Sequence, residues 1–246
     1  MLAGLENLNQ NTLNSSKLKV ISRVGSGTSN IDFDYCKKRG IKVFSTPNAP
    51  TNAVVEITIS NIINLFRNIN ISNISLHSGN WKRKIGNSLE GKNIVIFGYG
   101  RIGQKLAEIL ITLGSNIIIV DKLSFETKNN IRQMSLHEAL PLADLITFHS
   151  SENTCVMGKK EFSIIKDGAF ICNAARGDLI DEKALTNSLQ DGKISGAWLD
   201  TFSDEPYNGL LKNFDNVILT PHIGSYTKEC RILMESEAVN NLLECL

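Results

Sequence analysis

Five cysteines are far apart in this sequence, with no C-x-x-C pair and no histidine cluster at metal-ligand spacing. Disulfide frameworks and structural zinc sites need such spacing, so we expect free thiols in a reducing compartment and no bound metal. A long uninterrupted apolar run is also missing. The most apolar segment, 53–69, carries Glu56, Asn61, Asn64 and Arg67 and is too polar to span a bilayer.

An excess of charge of one sign is absent too. The net charge is +1, the isoelectric point is near 7.6, and the basic residues are scattered among acidic ones. Neither a nucleic acid nor a membrane is therefore expected as a partner. The start M-L-A-G-L-E-N lacks the basic and apolar regions of a secretory signal, so a cytoplasmic location is expected. An apolar content of 42% over 246 residues is enough to bury a core.

The most informative stretch runs from Lys92 to Asp121 and has the pattern strand, glycine turn, helix, strand. Gly98, Gly100 and Gly103 follow an apolar run at the spacing G-x-G-x-x-G, and Asp121 ends the second apolar run. Such glycines allow a tight turn, close approach of a pyrophosphate and close helix packing, while the acid accepts hydrogen bonds from the adenosine ribose. The pattern predicts NAD binding. An ordinary βαβ crossover with a glycine-rich loop is the alternative.

Strands alternate with helices along most of the chain, which predicts an α/β fold with a doubly wound parallel sheet. A first βαβ pattern precedes the glycine stretch and is assigned to a separate, smaller α/β domain. The predicted boundaries are 1–68 for this domain, completed by a terminal helix over 227–246, and 69–226 for the dinucleotide-binding domain. The polar stretch 68–91 is interpreted as a segment that wraps between domains, with Trp81 as its apolar anchor.

Three polar features follow predicted strands, at the edge of the sheet where ligands bind in such folds. They are Arg176 in N-A-A-R-G-D, Glu205 in L-D-T-F-S-D-E-P and His222 in T-P-H-I-G-S. An arginine can hold carboxylate and carbonyl oxygens, and a histidine paired with a carboxylate can move a proton near neutral pH. Together they suit hydride transfer at a carbon that bears a hydroxyl and a carboxylate. Each residue alone is also compatible with an ordinary loop, and His149, at another strand end, is a competing candidate for the acid/base.

The sequence resembles the D-isomer-specific 2-hydroxyacid dehydrogenases, and within them the D-3-phosphoglycerate dehydrogenase-like branch. The motifs that carry the resemblance include V-I-S-R-V-G-S-G-T-S-N-I-D, L-E-G-K-N-I-V-I-F-G-Y-G-R-I-G-Q, N-A-A-R-G-D-L-I-D, L-D-T-F-S-D-E-P and T-P-H-I-G-S-Y-T. They occur in the family's order over nearly the whole chain.

The resemblance implies a Rossmann domain, a flavodoxin-like substrate domain, NAD as cofactor, a homodimer and a 2-hydroxy or 2-oxo acid as substrate. It implies that Arg176 binds substrate, Glu205 supports the histidine and His222 is the acid/base. It also implies a substrate loop and a set of cofactor-lining residues beyond the glycines and Asp121. The substrate loop is Arg23, Val24, Gly25 and Ser26, and the further cofactor-lining residues are Thr46, Arg101, Ile102, Ser150, Ala174, Ala175, Asp200, Gly224 and Ser225.

Two departures from the family are visible. The usual first part of the substrate domain is not present before M-L-A-G-L-E, so that domain is expected to be truncated, and the loop after His149, S-S-E-N-T, is shorter than usual. The sequence therefore predicts an NAD-dependent oxidoreductase of D-2-hydroxy acids, with 3-phosphoglycerate as one candidate. Glyoxylate or hydroxypyruvate reduction is an alternative, and a non-catalytic NAD-binding module that has lost part of its substrate domain is another.

Overall fold

The structure is a computed structural model that describes residues 1–15, 17–28, 30–126 and 131–245. Its contacts divide the chain into two compact units, 1–53 together with 225–246, and 54–224. The predicted domain boundaries leave the whole helix over 51–67 with the substrate domain, whereas the compact units assign most of it to the larger unit. Residue 246, the last of the predicted terminal helix, lies outside the described residues.

The smaller unit contains a three-stranded parallel sheet. Its strands β1 (Leu2–Ala3), β2 (Val20–Arg23) and β3 (Lys42–Phe44) lie in the order β1-β2-β3, and its short helices are α1 (Gln10–Leu13) and α2 (Phe33–Lys38). The Asp32 side chain caps α2 by accepting a hydrogen bond from the Tyr35 N–H. Seven buried side chains form its core, namely Ala3, Leu8, Leu13, Ile21, Ile31, Cys36 and Ile41.

A long terminal helix completes the smaller unit. This helix is the last in the chain, Lys228–Leu243, and its buried residues Cys230 and Met234 pack with Ala53 in a small apolar cluster. Farther along the same helix, the Asn241 side-chain amide donates hydrogen bonds to the Ser22 hydroxyl and the Ser45 carbonyl at 3.3 and 3.4 Å.

The larger unit contains a seven-stranded parallel sheet in the order β10-β9-β8-β7-β4-β5-β6. Its elements, in chain order, are α3 (Thr51–Arg67), α4 (Ile69–His77), β4 (Asn93–Phe97), α5 (Arg101–Thr112), β5 (Asn116–Val120), β6 (Ile131–Gln133), α6 (Leu136–Ala139), β7 (Leu145–Phe148), α7 (Lys159–Ile164), β8 (Ala169–Asn173), α8 (Glu182–Gln190), β9 (Ile194–Leu199) and β10 (Val217–Leu219); the terminal helix is α9. The predicted α/β class and doubly wound parallel sheet are confirmed.

The sheet is apolar on both faces, which explains the unalternating runs in the sequence. In β4, Val95 belongs to one core cluster, whereas its neighbours Ile94 and Ile96 belong to a second cluster. All three are fully buried, and such burial stabilises the fold by about 1.5–3 kcal/mol for each side chain. Helices α3 and α5 contribute to the second cluster, and α7 and α8 to the first. A parallel sheet covered on both faces requires this pattern.

The strand order reverses between β4 and β7. From β4 the chain proceeds through β5 to β6 on one side, and from β7 through β8 and β9 to β10 on the other. In doubly wound sheets, the crevice outside the carboxyl ends of the strands at this reversal is where ligands bind. The loops that follow β4 and β7 are therefore the place to search for a site.

The prediction for Trp81 is wrong within this chain. Its side chain is 78% exposed, and the segment that precedes it forms helix α4, which has no buried residue. The weak periodicity of 68–91 follows from this, because a helix without a buried face shows no apolar stripe.

Among the residues that the structure describes, no helix is long and apolar enough to cross a membrane. Within the same ranges, no cluster of three or more histidine, cysteine, aspartate or glutamate side chains is arranged to hold a metal ion.

Candidate active site

The glycine turn, residues 98–103, connects β4 to α5 and is built around missing side chains. A Cβ at Gly98, where φ is +94°, would lie 2.6 Å from the Ser150 nitrogen, and a Cβ at Gly103 would lie 2.3 Å from the Gly98 oxygen. At Gly100, by contrast, a Cβ would meet no heavy atom of the described chain within 4 Å. Gly98 and Gly103 are therefore required by close packing, while Gly100 leaves open space in front of the turn.

The open space faces the start of helix α5. Gly100 is the N-cap of this helix and contributes no side-chain cap, so its first N–H groups are not satisfied by a cap. On the neighbouring strand, one Asp121 oxygen accepts the Tyr99 N–H at 2.7 Å and the other accepts the Leu123 N–H at 2.9 Å. A helix N-terminus with a carboxylate beside it fits the pyrophosphate and ribose of a dinucleotide.

A histidine–carboxylate pair lies in the loops after β9 and β10. The His222 Nδ1 is 3.0 Å from the Glu205 Oε2, and the other Glu205 oxygen accepts the Phe202 N–H at 3.0 Å. The two side chains are 49% and 37% exposed, so the pair is open to solvent. A carboxylate at this distance favours the tautomer protonated on Nδ1, which directs Nε2 to proton exchange.

The histidine loop, residues 220–224, is held by one buried carboxylate. Asp200, at the end of β9, accepts hydrogen bonds from the Thr220 hydroxyl at 2.5 Å, the Ile223 N–H at 2.9 Å and the Gly224 N–H at 2.7 Å. Its side chain is almost fully buried, and this burial raises the pKa of the carboxyl although the three donors act in the opposite direction.

The same hydrogen bonds explain an unusual backbone conformation. His222 has a φ of +52°, a left-handed conformation that few residues other than glycine adopt readily. The two N–H groups that follow it both point at Asp200, which fixes the chain in this turn. The imidazole is thereby oriented by backbone geometry as well as by Glu205.

Arg176 follows β8 and precedes a short 3-10 turn, Gly177–Leu179. Its Nη1 donates to the Ala175 carbonyl at 2.6 Å, and its own carbonyl accepts from the Asn173 side chain at 2.8 Å. A Cβ at Gly177 would lie 1.9 Å from the Phe202 carbonyl carbon, so the arginine loop packs directly on the loop that carries Glu205. Strands β8, β9 and β10 are neighbours, which brings the three predicted loops to one edge of the sheet.

The substrate loop and Thr46 belong to the smaller unit and contact each other there. The Gly25 N–H donates to the Thr46 hydroxyl at 2.7 Å, and the Thr46 N–H donates to the Gly25 carbonyl at 3.0 Å. The Arg23 Nη1 donates to the Val24 carbonyl at 2.5 Å. Of the remaining predicted residues, Ser225 lies in the smaller unit, and the rest lie in the larger one.

His149 is the alternative acid/base candidate. Its Nε2 is 2.9 Å from the Thr147 hydroxyl oxygen, and its Nδ1 is buried without a hydrogen-bond partner in the described part of the chain. Burial lowers the pKa of His149 to about 3. An imidazole with so low a pKa stays neutral near pH 7 and is poorly matched to proton transfer there. His222 is therefore the better candidate for the acid/base.

Sequence reasoning missed Tyr207, which packs on Phe202 in the loop that carries Glu205. Tyr207 stacks on Phe202 with ring centroids 4.1 Å apart, donates to the Glu182 carboxylate at 2.7 Å and accepts the Leu211 N–H at 3.1 Å. Burial raises the pKa of Tyr207 to about 12. The sequence around Tyr207 did not indicate these contacts, because Glu182 lies 25 positions earlier in the chain.

Fold and site together define a class of protein. A doubly wound sheet with a glycine turn, a strand-end carboxylate and a histidine–glutamate pair is typical of dinucleotide-dependent oxidoreductases. Residues 59–224 match the model of the D-isomer specific 2-hydroxyacid dehydrogenase, NAD binding domain. The chain belongs to this family.

Known proteins of the family are similar over most of this chain. A D-3-phosphoglycerate dehydrogenase from Pongo abelii is 36% identical over 226 residues, which are 88% of this chain and 42% of that protein. The chain thus spans less than half the length of this relative. The solved D-lactate dehydrogenase of Aquifex aeolicus, complexed with NAD and lactic acid, is 28% identical with a TM-score of 0.89, covering 98% of this chain and 80% of that one.

A third similar protein uses the phosphorylated dinucleotide. The NADPH-dependent glyoxylate/hydroxypyruvate reductase of Sinorhizobium meliloti, solved with NADP and malonate, is 26% identical with a TM-score of 0.89. The match covers 98% of this chain and 78% of that one. Similar folds in this family therefore bind either dinucleotide.

Proposed function

We propose that this protein is an NAD-dependent oxidoreductase that interconverts a D-2-hydroxy acid and the corresponding 2-oxo acid. The observation that carries the proposal is the His222–Glu205 contact of 3.0 Å, at the sheet edge that also carries Arg176 and the glycine turn. An acid/base group, a carboxylate-binding cation and a dinucleotide turn together suit this reaction and few others. Family membership supports the same reaction class.

When bound, the nucleotide would supply the hydride in its reduced form and accept it in its oxidised form. Gly98, Gly100 and Gly103 would hold its pyrophosphate with the first turn of α5, where Arg101 and Ile102 lie, and Asp121 would accept hydrogen bonds from its ribose hydroxyls. The remaining cofactor contacts in the proposal come from a dispersed set of small and polar residues. They are Thr46, Ser150, Ala174, Ala175, Asp200, Gly224 and Ser225.

The protein's own residues transfer the proton and bind the negatively charged substrate. In the reductive direction, the Nε2–H of His222 donates its proton to the substrate's carbonyl oxygen, and the imidazole takes it back in the oxidative direction. Glu205 holds Nδ1–H and stabilises the imidazolium form. Arg176 binds the carboxylate and polarises the carbonyl, and the substrate loop Arg23, Val24, Gly25 and Ser26 contacts the substrate. The N–H groups of Val24 and Gly25 donate to the Ala3 carbonyl and the Thr46 hydroxyl, so they would have to exchange these partners to bind the carboxylate.

The substrate proposal is a small 2-oxo acid. Hydroxypyruvate and glyoxylate are candidates because the name of one similar protein contains them. The third candidate is 3-phosphohydroxypyruvate, the oxidised form of the 3-phosphoglycerate in the name of another. Purified protein is mixed with NADH and each acid, and absorbance at 340 nm reports oxidation of the nucleotide. Turnover is expected with at least one acid, and it should be lost in His222→Gln and kept in the matched surface control His137→Gln. Nucleotide binding with no turnover on any acid would instead make the chain a non-catalytic binding module.

A homodimer and a cytoplasmic location complete the proposal. Large apolar side chains are exposed on α4 and on the segment after it, and a second copy would cover them. They are Ile69, Ile74, Leu76, Trp81 and Ile85. The five cysteines are unpaired, as expected in a reducing compartment. Light scattering should give the mass of two chains, and Trp81→Ser with Ile85→Ser should shift it toward one, whereas the exposed control Leu210→Ser should not.

Substrate binding and NAD binding are assigned to the two predicted domains. Residues 1–68 with 227–246 handle the substrate, in a flavodoxin-like domain, and residues 69–226 bind NAD. Expression of 51–226 alone tests the second half of this assignment, because this fragment keeps α3 in the core of the larger unit and should bind NADH.

A further inference from the structure

An ion pair joins two loops beside the glycine turn. The Lys122 Nζ lies 2.7 Å from the Glu152 Oε1. Lys122 directly follows Asp121 at the end of β5, and Glu152 lies in the loop after β7. Because β4 lies between β5 and β7 in the sheet, the ion pair links the loops on either side of the turn that follows β4.

Both ends of this ion pair are anchored to the turn itself. On one side, the Asp121 carboxylate accepts the Tyr99 N–H, which fixes the chain just before Lys122. On the other side, the Ser150 backbone packs against Gly98, and the Ser150 hydroxyl accepts the Glu152 N–H at 3.2 Å. The Glu152 side chain is 23% exposed and the Lys122 side chain is 82% exposed, so the carboxylate is the more buried partner of the pair.

This location matters because NADP differs from NAD only in a phosphate on the adenosine ribose. A carboxylate at the position of Asp121, after β5, disfavours binding of that phosphate, and a cation close by favours it. Lys122 is such a cation, one residue from the carboxylate, but its charge is compensated by Glu152. The similar proteins include one solved with NAD and one with NADP, so the family fold itself does not decide the choice.

We propose that Glu152 is a second determinant of nucleotide choice, which favours NAD by holding and neutralising Lys122. With Glu152 in place, a ribose phosphate meets the Asp121 carboxylate and a lysine whose charge is already compensated. Without Glu152, Lys122 is released and can pair with the phosphate, which offsets part of the repulsion from Asp121. This inference rests on the proposed function, because it presumes that the glycine turn binds a dinucleotide.

The test measures dissociation constants for NADH and NADPH by nucleotide fluorescence, at one fixed ionic strength, with no substrate present. The variants are Glu152→Gln, Lys122→Gln and the two combined. Glu235→Gln is the matched control, because it removes the same charge from an exposed ion pair with Arg231 on α9. Glu152→Gln should leave NADH affinity nearly unchanged and tighten NADPH about two- to fivefold, the range of one partly exposed charge pair. The double variant should lose this gain, and raising the salt concentration should reduce it.

Three results would overturn the inference, and they can be told apart. If Glu152→Gln changes both affinities equally, or changes their ratio no more than Glu235→Gln does, Glu152 does not set nucleotide choice. If the double variant keeps the gain for NADPH, Lys122 is not the group that Glu152 restrains. If the unaltered protein binds neither nucleotide, the proposed function is wrong and the inference falls with it.

Discussion

The glycine turn and the histidine loop solve the same problem, a tight loop at a strand end, by different means. The turn at 98–103 is limited by space, since side chains at Gly98 or Gly103 would collide with backbone. The loop at 220–224 is limited by a hydrogen-bond acceptor, since a single carboxylate, Asp200, receives three of its donors. The glycine turn depends on the absence of side chains at Gly98 and Gly103. The histidine loop depends on Asp200, which lies at the end of the neighbouring strand β9.

This difference predicts opposite responses to mutation. Added volume at Gly98 or Gly103 should damage the glycine turn, whereas loss of the acceptor should damage the histidine loop.

Asp200→Ala should have the largest effect. Three donors of the histidine loop lose their acceptor, and the left-handed conformation of His222 loses its restraint. Urea unfolding should show a loss of about 2–4 kcal/mol in the free energy of unfolding. A loss below about 1 kcal/mol would mean that the loop is held by other contacts and that the comparison is wrong.

Gly103→Ala should destabilise the fold by about 1–3 kcal/mol, because the new methyl group would lie 2.3 Å from the Gly98 oxygen. Gly100→Ala is the matched control. Its methyl group would enter open space, so only the poorer capping by alanine should lower stability, by less than about 1 kcal/mol, while NADH binding should weaken. Equal destabilisation by the two variants would contradict the claim that close packing at Gly103, and not at Gly100, limits this turn, because alanine itself favours a helix over glycine.

Glu205→Gln should reduce turnover at least about tenfold and leave stability within about 0.5 kcal/mol. A glutamine can still accept the Phe202 N–H, but it no longer carries the charge that stabilises the imidazolium of His222. Its neighbour Asp204 is exposed, so Asp204→Asn removes the same charge one residue away and should keep turnover. The pH profile of kcat should shift only in the Glu205 variant, which a general loss of structure would not produce.

His149 should give the smallest effect, a pH dependence of stability. Its pKa is lowered to about 3 in the folded state from an ordinary value of 6.5, so between these values the unfolded chain binds the extra proton. Stability from this group is therefore full above pH 6.5 and declines as the pH falls toward 3, by about 0.7 kcal/mol between pH 7 and 6.

Replacement of His149 by phenylalanine should remove that decline, and replacement of the exposed His137 by phenylalanine should leave it in place. The measurement is urea unfolding of the three proteins at pH 7 and pH 6. An unchanged pH slope in the His149 variant would contradict the buried, neutral imidazole.

The sequence allowed most of the larger unit to be predicted, for a physical reason. Strands β4, β5, β7 and β8 are buried on both faces and so appear as apolar runs in the sequence. The glycine turn is local in sequence, and its spacing alone indicated its geometry. The edge strand β6, Ile131–Gln133, lacks such a run and was not predicted.

The supports of the site were less visible. Asp200, Thr220 and Trp198 form a chain of hydrogen bonds in which the indole N–H donates to the threonine hydroxyl at 3.0 Å. Thr220 lies about twenty positions after Trp198 and Asp200 in the sequence, and the pairing of β9 with β10 brings the three residues together. The prediction for Trp81 was wrong because an apolar side chain indicates burial, whereas this one is exposed in the single chain.

The central claim is that His222 moves the proton while the glycine turn independently holds the nucleotide. A single-turnover experiment with stoichiometric NADH and an accepted 2-oxo acid tests this directly, because nucleotide fluorescence reports binding and absorbance at 340 nm reports hydride transfer. In His222→Gln the dissociation constant of NADH should stay within about twofold, and the hydride-transfer rate should fall at least about 100-fold. Hydride transfer at the unaltered rate in this variant would contradict the account.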